Sequence, residues 1–307
     1  IIIGSADGTA DVWDLSGSWP PLARISTRSA AVTAAALDAG GNLAVTGSND
    51  GMVRVWTVHP RKLVARHLAP GTDLNGDLIT AVAFDPSPTR RNRVLLALGF
   101  TGMAQIWDWR NGQTPVQLGQ PVQGPDGLVV VKQLYGAAFS PNGQLVVTAH
   151  RDKVARLWDA GRGRLVHTLA GHTGIVYNVA FSADGAHVVT AGGDGTARVW
   201  RTATGQLLQT LVGQGSALRA ASFSRDGRLI AAGDARGATL VWEVASGRLL
   251  AVLHRHADSV NSTAFMDDGH IVTASDDGTT KRYPCDTCGS LADLLVRARE
   301  RDRYVQR

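Results

Sequence analysis

The sequence predicts an all-β chain of seven repeated four-stranded units, the architecture of a β-propeller, and three observations carry that prediction. Trp13, Trp56, Trp107, Trp158, Trp200 and Trp242, with Tyr283 in a seventh place, recur at intervals of 43, 51, 51, 42, 42 and 41 residues. A period of about 40–45 residues closed by a strand Trp marks four-stranded blades. Phe84, Phe139, Phe181, Phe223 and Phe265 also fall one per segment, with Leu37 in the same place of its own segment. No apolar period of 3.6 residues appears before the C-terminal tail, so helices are not expected there.

Within a segment the elements follow in a fixed order. A first strand alternates toward its Phe in YGAAFSPNG, YNVAFSADG, RAASFSRDG and NSTAFMDDG, then runs into a turn of Asp, Asn and Gly, residues that supply the positive φ a hairpin needs. A second strand follows (QLVVTA, HVVTAG, RLIAAG, HIVTAS), then a turn that is Asp7-Gly8, Asp50-Gly51, Asp194-Gly195 or Asp277-Gly278, then a third strand ending at the Trp.

These segments resemble WD-repeat blades from residue 1 to about 284, most cleanly from Gly171 to Trp200. The resemblance implies a buried hydrogen-bonded set of His172, Thr190, Asp194 and Trp200, structural rather than catalytic. Its physics is sound, since a buried carboxylate needs donors and imidazole, hydroxyl and indole can supply them in series. Other segments keep parts of the set. One has His256, Thr273 and Asp277 with Tyr283 for Trp; two keep Thr46, Asp50, Trp56 and Thr148, Asp152, Trp158 without the His. Thr101 and Arg236 stand where two further segments should have the Asp, which puts the stability of those blades in doubt.

Strand counting predicts incomplete terminal blades. The opening IIIGSADGTADVWD reads as a second and third strand, with an outer strand near Pro21–Ile25 and no innermost one; the Tyr283 blade lacks an outer strand. The expectation is a C-terminal piece of a longer protein; the alternative is a seven-bladed ring that tolerates a three-stranded blade. Residues 1–284 are assigned to the propeller and 285–307 to a tail. In that tail Cys285 and Cys288 form a C-x-x-C pair. It lacks the second pair of a zinc site, and Ser290 with Asp293 then opens a short amphipathic helix. The ending PCDTCGSLADLLVRARER resembles the C-termini of large bacterial WD-repeat proteins, in which the propeller follows a signalling NTPase or a protease-like or kinase-like effector domain. That resemblance implies a sensor half whose catalytic half lies elsewhere.

The net charge of +5 rests on arginines spread over all blades, without the basic stripe and interleaved aromatics of a nucleic-acid surface. No apolar run is long enough to span a bilayer, and a cytoplasmic location is expected. His150-Arg151-Asp152 matches part of a kinase catalytic loop without the rest of that signature. No phosphate-binding loop is present. No catalytic, cofactor or metal residues are assigned.

The candidate function is therefore protein binding at one rim. Four residues before each Phe (or Leu37) lie Thr33, Thr80, Tyr135, Tyr177, Arg219 and Asn261, expected to ring one mouth of a channel. The adjacent turns add Asn49, Phe100, Arg151, Arg236 and Asp276. Tyr and Arg are enriched at interface hot spots, and Phe100 at a turn tip either contacts a partner or folds back on its own blade. Insertions at 69–78 and 118–128 are expected on the same face, whereas DPSPTRRNR (85–93) reads as a solvated loop. The expected partner is a protein or an effector domain of the same longer chain. The alternatives are a propeller enzyme working in the channel, for which these positions lack convergent carboxylates, and a basic nucleic-acid binder.

Overall fold

The computed structural model describes residues 2–13, 21–27, 30–69, 78–112, 114–119, 122–123, 129–130, 133–254, 256–266 and 269–284. They belong to two compact units, Ile1–Phe181 and Ser182–Arg307.

In the first unit β1 (Ile2–Gly4), β2 (Thr9–Val12) and β3 (Ala23–Ser26) form a three-stranded sheet. Next come two four-stranded sheets: β4 (Val32–Leu37), β5 (Leu43–Ser48), β6 (Met52–Thr57) and β7 (Lys62–Leu68), then β8 (Ile79–Phe84), β9 (Arg93–Leu98), β10 (Ala104–Asp108) and β11 (Val116–Leu118). A small antiparallel ribbon pairs β12 (Val122–Gln123) with β13 (Val129–Val130). The sheet of β14 (Leu134–Phe139), β15 (Leu145–His150), β16 (Val154–Asp159) and β17 (Leu165–Ala170) follows, and β18 (Val176–Phe181) opens the next repeat.

The second unit continues that repeat with β19 (His187–Gly192), β20 (Thr196–Arg201) and β21 (Leu207–Val212). It then holds a four-stranded sheet, β22 (Leu218–Phe223), β23 (Leu229–Asp234), β24 (Ala238–Glu243) and β25 (Leu249–His254). Its last sheet has three strands, β26 (Val260–Phe265), β27 (His270–Ser275) and β28 (Thr280–Pro284). The fold class is the all-β, seven-bladed propeller, with a three-stranded sheet at each end and no helix among the described residues. The C-x-x-C pair and the predicted helix lie outside the described residues.

A steric rule sets the spacing of successive sheets. At or next to the end of each second strand stands a small residue: Gly4, Gly47, Ala97, Ala149, Ala191, Gly233 or Ala274. The innermost strands begin with a branched, buried side chain: Val32, Ile79, Leu134, Val176, Leu218 or Val260. A Cβ on Gly47 would fall 2.3 Å from Ile79 Cγ2, one on Gly233 2.4 Å from Val260 Cγ1, and one on Gly4 2.6 Å from Val32 Cγ1. These glycines are there for the space they leave, not for their φ. The residue after Val32, Ile79, Leu134, Leu218 and Val260 is skipped by the ladder, so Thr33, Thr80, Tyr135, Arg219 and Asn261 each occupy a β-bulge. A bulge leaves one residue unpaired and re-aims its side chain.

The segment 85–93, expected as a solvated loop, is anchored instead. The Asp85 side chain is fully buried, its Oδ1 accepts the Ser87 N–H (2.9 Å) and Arg93 Nε lies 3.5 Å from Oδ2. Burial pushes the Asp85 carboxyl above its ordinary value, against the lowering effect of that N–H and of Arg93. Arg93 Nη2 donates to the Ala160 carbonyl at 2.9 Å, and Arg90 Nη1 donates to that of Gly143 at 3.2 Å. The densest basic cluster of the sequence is thus largely spent on backbone carbonyls of the β14–β17 sheet. Of its three arginines, only Arg91 has no such anchor.

Gly47→Ala tests the steric rule. The added Cβ must displace Ile79, so overpacking is expected to cost about 1–3 kcal/mol, measured by urea denaturation. Adding Ile79→Val should recover part of that loss.

Candidate functional site

The turns between second and third strands carry the polar chemistry, and each blade satisfies it differently. The indole Nε1 of Trp56, Trp158 and Trp200 donates to Thr46 (3.0 Å), Thr148 (2.8 Å) and Thr190 (3.0 Å). The turn aspartates Asp50, Asp194 and Asp277 accept the N–H two residues on. A cation four residues ahead neutralises such aspartates: Arg54 on Asp50 (2.9 Å), Arg156 on Asp152 (2.5 Å), Arg198 on Asp194 (4.0 Å) and Lys281 on Asp277 (3.9 Å). His172, buried, belongs to the first unit, while Thr190, Asp194 and Trp200 belong to the second.

The Tyr283 blade shows the His–Thr–Asp chain in full. The His256 ring bonds Asp277 Oδ2 through Nδ1 (2.9 Å) and Thr273 Oγ1 through Nε2 (2.7 Å). Asp277 also accepts the Thr279 hydroxyl (2.6 Å) and the Ala257 N–H (3.0 Å). These bonds, that of Thr279 foremost, hold its carboxyl well below the usual carboxylate range.

Where the set is incomplete, other residues take its place. His150, two residues after Thr148 on the same strand, bonds the Thr148 hydroxyl through Nε2 at 2.8 Å. It fills the role of the histidine that the Trp158 blade lacks. In the Trp107 blade Leu96 and Gln105 stand opposite each other where the Trp56 blade has Thr46 and Arg54. Trp107 instead stacks on His67, with centroids 5.0 Å apart and planes at 21°. Burial lowers the His67 pKa, against the raising effect of a side-chain hydrogen bond with Gln105. In the Trp242 blade buried Asp234 accepts the N–H groups of Arg236 (2.9 Å) and Ala238 (2.8 Å). Both blades whose stability the sequence put in doubt have such replacements.

The candidate rim residues divide by what their side chains do. Thr33 and Thr80 knit neighbouring strands: their hydroxyls donate to the carbonyls of Ile79 (2.6 Å) and Leu134 (3.1 Å). Tyr135 and Tyr177 meet edge to face, with centroids 5.2 Å apart and planes at 76°. The Tyr135 hydroxyl donates to Gln133 Oε1 (3.3 Å), which also accepts Arg151 Nη1 at 2.7 Å. Gln133 immediately precedes β14, outside the strand register that marks the other rim positions.

Phe100 is 51% exposed. Its turn holds six residues (98–103) between the paired Ala97 and Ala104, against five (48–52) between Gly47 and Val53. Phe100 therefore sits on a turn one residue longer than its counterpart. In the second unit Asn261 Nδ2 donates to Asp276 Oδ1 at 2.5 Å, Arg219 is half-buried, and the Arg236 N–H bonds Asp234 as described. Among the described residues no group of three or more His, Cys, Asp or Glu could hold a metal ion. No described helix is long and apolar enough to cross a membrane.

Repeated blades whose turns carry a recurring hydrogen-bonded polar set define a repeat propeller. The WD domain, G-beta repeat family model matches residues 19–57, 130–159, 163–201, 205–243 and 247–283, and the chain belongs to that family. It is 28% identical over 178 residues to WD repeat-containing protein VIP3 of Arabidopsis thaliana (56% of this chain, 52% of that protein). A stretch of 94 residues is 32% identical to the probable serine/threonine-protein kinase PkwA of Thermomonospora curvata (26% of this chain, 13% of that protein). The chain thus spans about half or less of the length of these relatives. Among solved structures, the computationally designed Ika8 protein is similar with a TM-score of 0.70 and 29% identity, over 92% of this chain and 80% of its own.

Two measurements check the polar set. Thr148→Val removes the hydroxyl that bonds both the Trp158 indole and His150 Nε2, and should cost about 1–3 kcal/mol in urea denaturation. That loss should exceed the loss for Thr46→Val, which strands the Trp56 indole alone. The Asp277 carboxyl has a lower pKa folded than unfolded, so the unfolded chain binds more protons as pH falls below the usual carboxylate value. The stability it contributes is full above about pH 4 and is lost progressively at lower pH. Asp277→Asn should therefore flatten the acid limb of the melting-temperature profile below about pH 4.

Proposed function

We propose that the protein is a non-catalytic recognition module that binds a protein partner, or an effector domain of its own longer chain, through the turns and bulges at the inner strands of its first unit. Phe100, Tyr135, Tyr177 and Arg151 are the proposed contacts there, with Thr33 and Thr80 holding the strands that present them. In the second unit Arg219, Arg236 and Asn261 occupy the matching strand and turn positions. The observation that carries this reading is the half-exposed Phe100 on its lengthened turn. A large apolar side chain held at a turn tip is stabilised when a partner covers it, and aromatic and Arg side chains dominate binding energy where they are desolvated together. WD-repeat propellers generally serve as interaction scaffolds, which supports the reading. The partial match to a kinase supports placing the propeller beside a signalling domain in a longer chain.

Affinity capture tests this. Immobilised protein, with the co-purifying partner identified by mass spectrometry, should retain it; Phe100→Ala and Tyr177→Ala should each lower capture by about tenfold or more. Circular dichroism melting should show both variants folded. Undiminished capture by both would remove the rim from consideration.

A further inference from the structure

The turn 151–153 of the β14–β17 sheet combines two features, a backbone strain and a pair of exposed cations. Lys153 has φ 69°, and among the described residues it is the one non-glycine with a positive φ. The other turns place glycine there: Gly8, Gly51, Gly102, Gly195, Gly237 and Gly278, with φ between 66° and 85°. A lysine in this region is strained relative to glycine, so the turn holds a cation at a conformational cost that glycine would avoid. The second feature is charge. Asp152 is bound by Arg156 at 2.5 Å, whereas Arg151 bonds the neutral Gln133 amide at 2.7 Å and has no carboxylate partner among the described residues. Both Arg151 and Lys153 are exposed. The Gln133 oxygen also receives the Tyr135 hydroxyl, so one amide links the Arg151 guanidinium to the Tyr135–Tyr177 pair.

We infer that this turn recognises an acidic segment of a protein partner, in which a carboxylate side chain meets Arg151 and Lys153 while a neighbouring apolar residue lies against the two tyrosines. The inference rests on the reading of the rim as the binding surface and adds the chemistry of what it binds. A guanidinium held in place loses little freedom when a carboxylate arrives, and its planar fork suits that group. Single-stranded nucleic acid fits less well. Base stacking needs open aromatic faces, and here the tyrosines spend an edge and a face on each other. The strain at Lys153 is the sign that the second cation has a use, because the fold would be more stable without it.

Panning a random peptide library on the protein, and in parallel on an Arg151→Glu/Lys153→Glu variant, tests this. Peptides enriched on the wild type should carry Asp or Glu beside an aromatic or aliphatic residue, and the charge-reversed variant should not retain them. The best peptide, made synthetically, should bind Lys153→Gly about tenfold more weakly while that variant melts at a higher temperature, a combination that a purely structural lysine would not produce. Replacing its acidic residues with Gln or Asn should abolish binding. The inference is overturned if enriched peptides show no excess of Asp or Glu, if Lys153→Gly binds unchanged, if a phosphoserine peptide binds far more tightly than its Glu counterpart, or if an oligonucleotide at equal concentration displaces the peptide. Peptides that depend on Phe100 and Tyr177 but carry no acidic excess would leave the rim reading standing and remove this one. Peptides indifferent to substitution at all four positions would remove both.

Discussion

The contact between a Gly or Ala near the end of one sheet's second strand and a branched side chain at the start of the next sheet's inner strand governs much else in this molecule. With Ile79 Cγ2 only 2.3 Å from where a Cβ of Gly47 would stand, the two strands approach too closely for any larger pair. That approach delivers the next carbonyl to the hydroxyls of Thr33 and Thr80. It also fixes where the ladder breaks. The residue after Val32, Ile79 and Leu134 is the bulge residue, so packing and display are set one position apart on the same strand. Burial of the branched side chain holds in place the neighbour that faces outward.

The polar wiring is the second layer, and it tolerates change because it has a few interchangeable solutions. The buried strand threonine can take a histidine from the preceding loop, as Thr273 takes His256 in the Tyr283 blade, or one from its own strand, as Thr148 takes His150 beside the Trp158 indole. Where the hydroxyl is replaced by Leu96, the indole stacks on His67, and the facing Gln105 donates to Gln117 Oε1 at 3.1 Å. Where the turn aspartate is missing, Asp234 reaches two N–H groups from the strand before it. The cost of an unmade buried hydrogen bond exceeds the net benefit of a made one, so a blade can lose the whole set more safely than half of it.

Most of the fold was legible in the sequence because Trp, Phe and Asp-Gly each mark a position in the repeat independently. Terminal sheets of three strands were legible for the same reason, from which marker came first and last. What escaped depended on register and on contacts between repeats. The bulges at Thr33, Thr80, Tyr135, Arg219 and Asn261 leave no local signature, since their residue types differ while the backbone departure is the same. The arginines at 90 and 93 looked solvated because the carbonyls that receive them, Gly143 and Ala160, lie about 50 and 70 residues further along. His150 lies on the second strand, outside the place before the first strand where the repeat pattern puts its histidine. Gln133 lay outside the chosen register, and its role is to orient a residue that had been found.

The departures from the repeat therefore sort into two kinds, and the sorting bears on function. Leu96, Asp234 and His150 each depart from the pattern, and each is compensated within its own blade or by the adjacent strand; nothing further is needed to account for them. Phe100 and Lys153 are different. The first lengthens a turn by one residue and holds an aromatic ring half in solvent. The second places a side chain where the backbone favours none. The equivalent turns lack both features, with one residue fewer in place of the lengthened turn and a glycine in place of the lysine. A repeat that departs from its equivalent turns at these two places keeps local cost at positions facing solvent. Local cost of this kind concentrates where a surface is used. In this propeller it falls on the turns beside the Tyr135–Tyr177 pair and the cation that Gln133 holds in place.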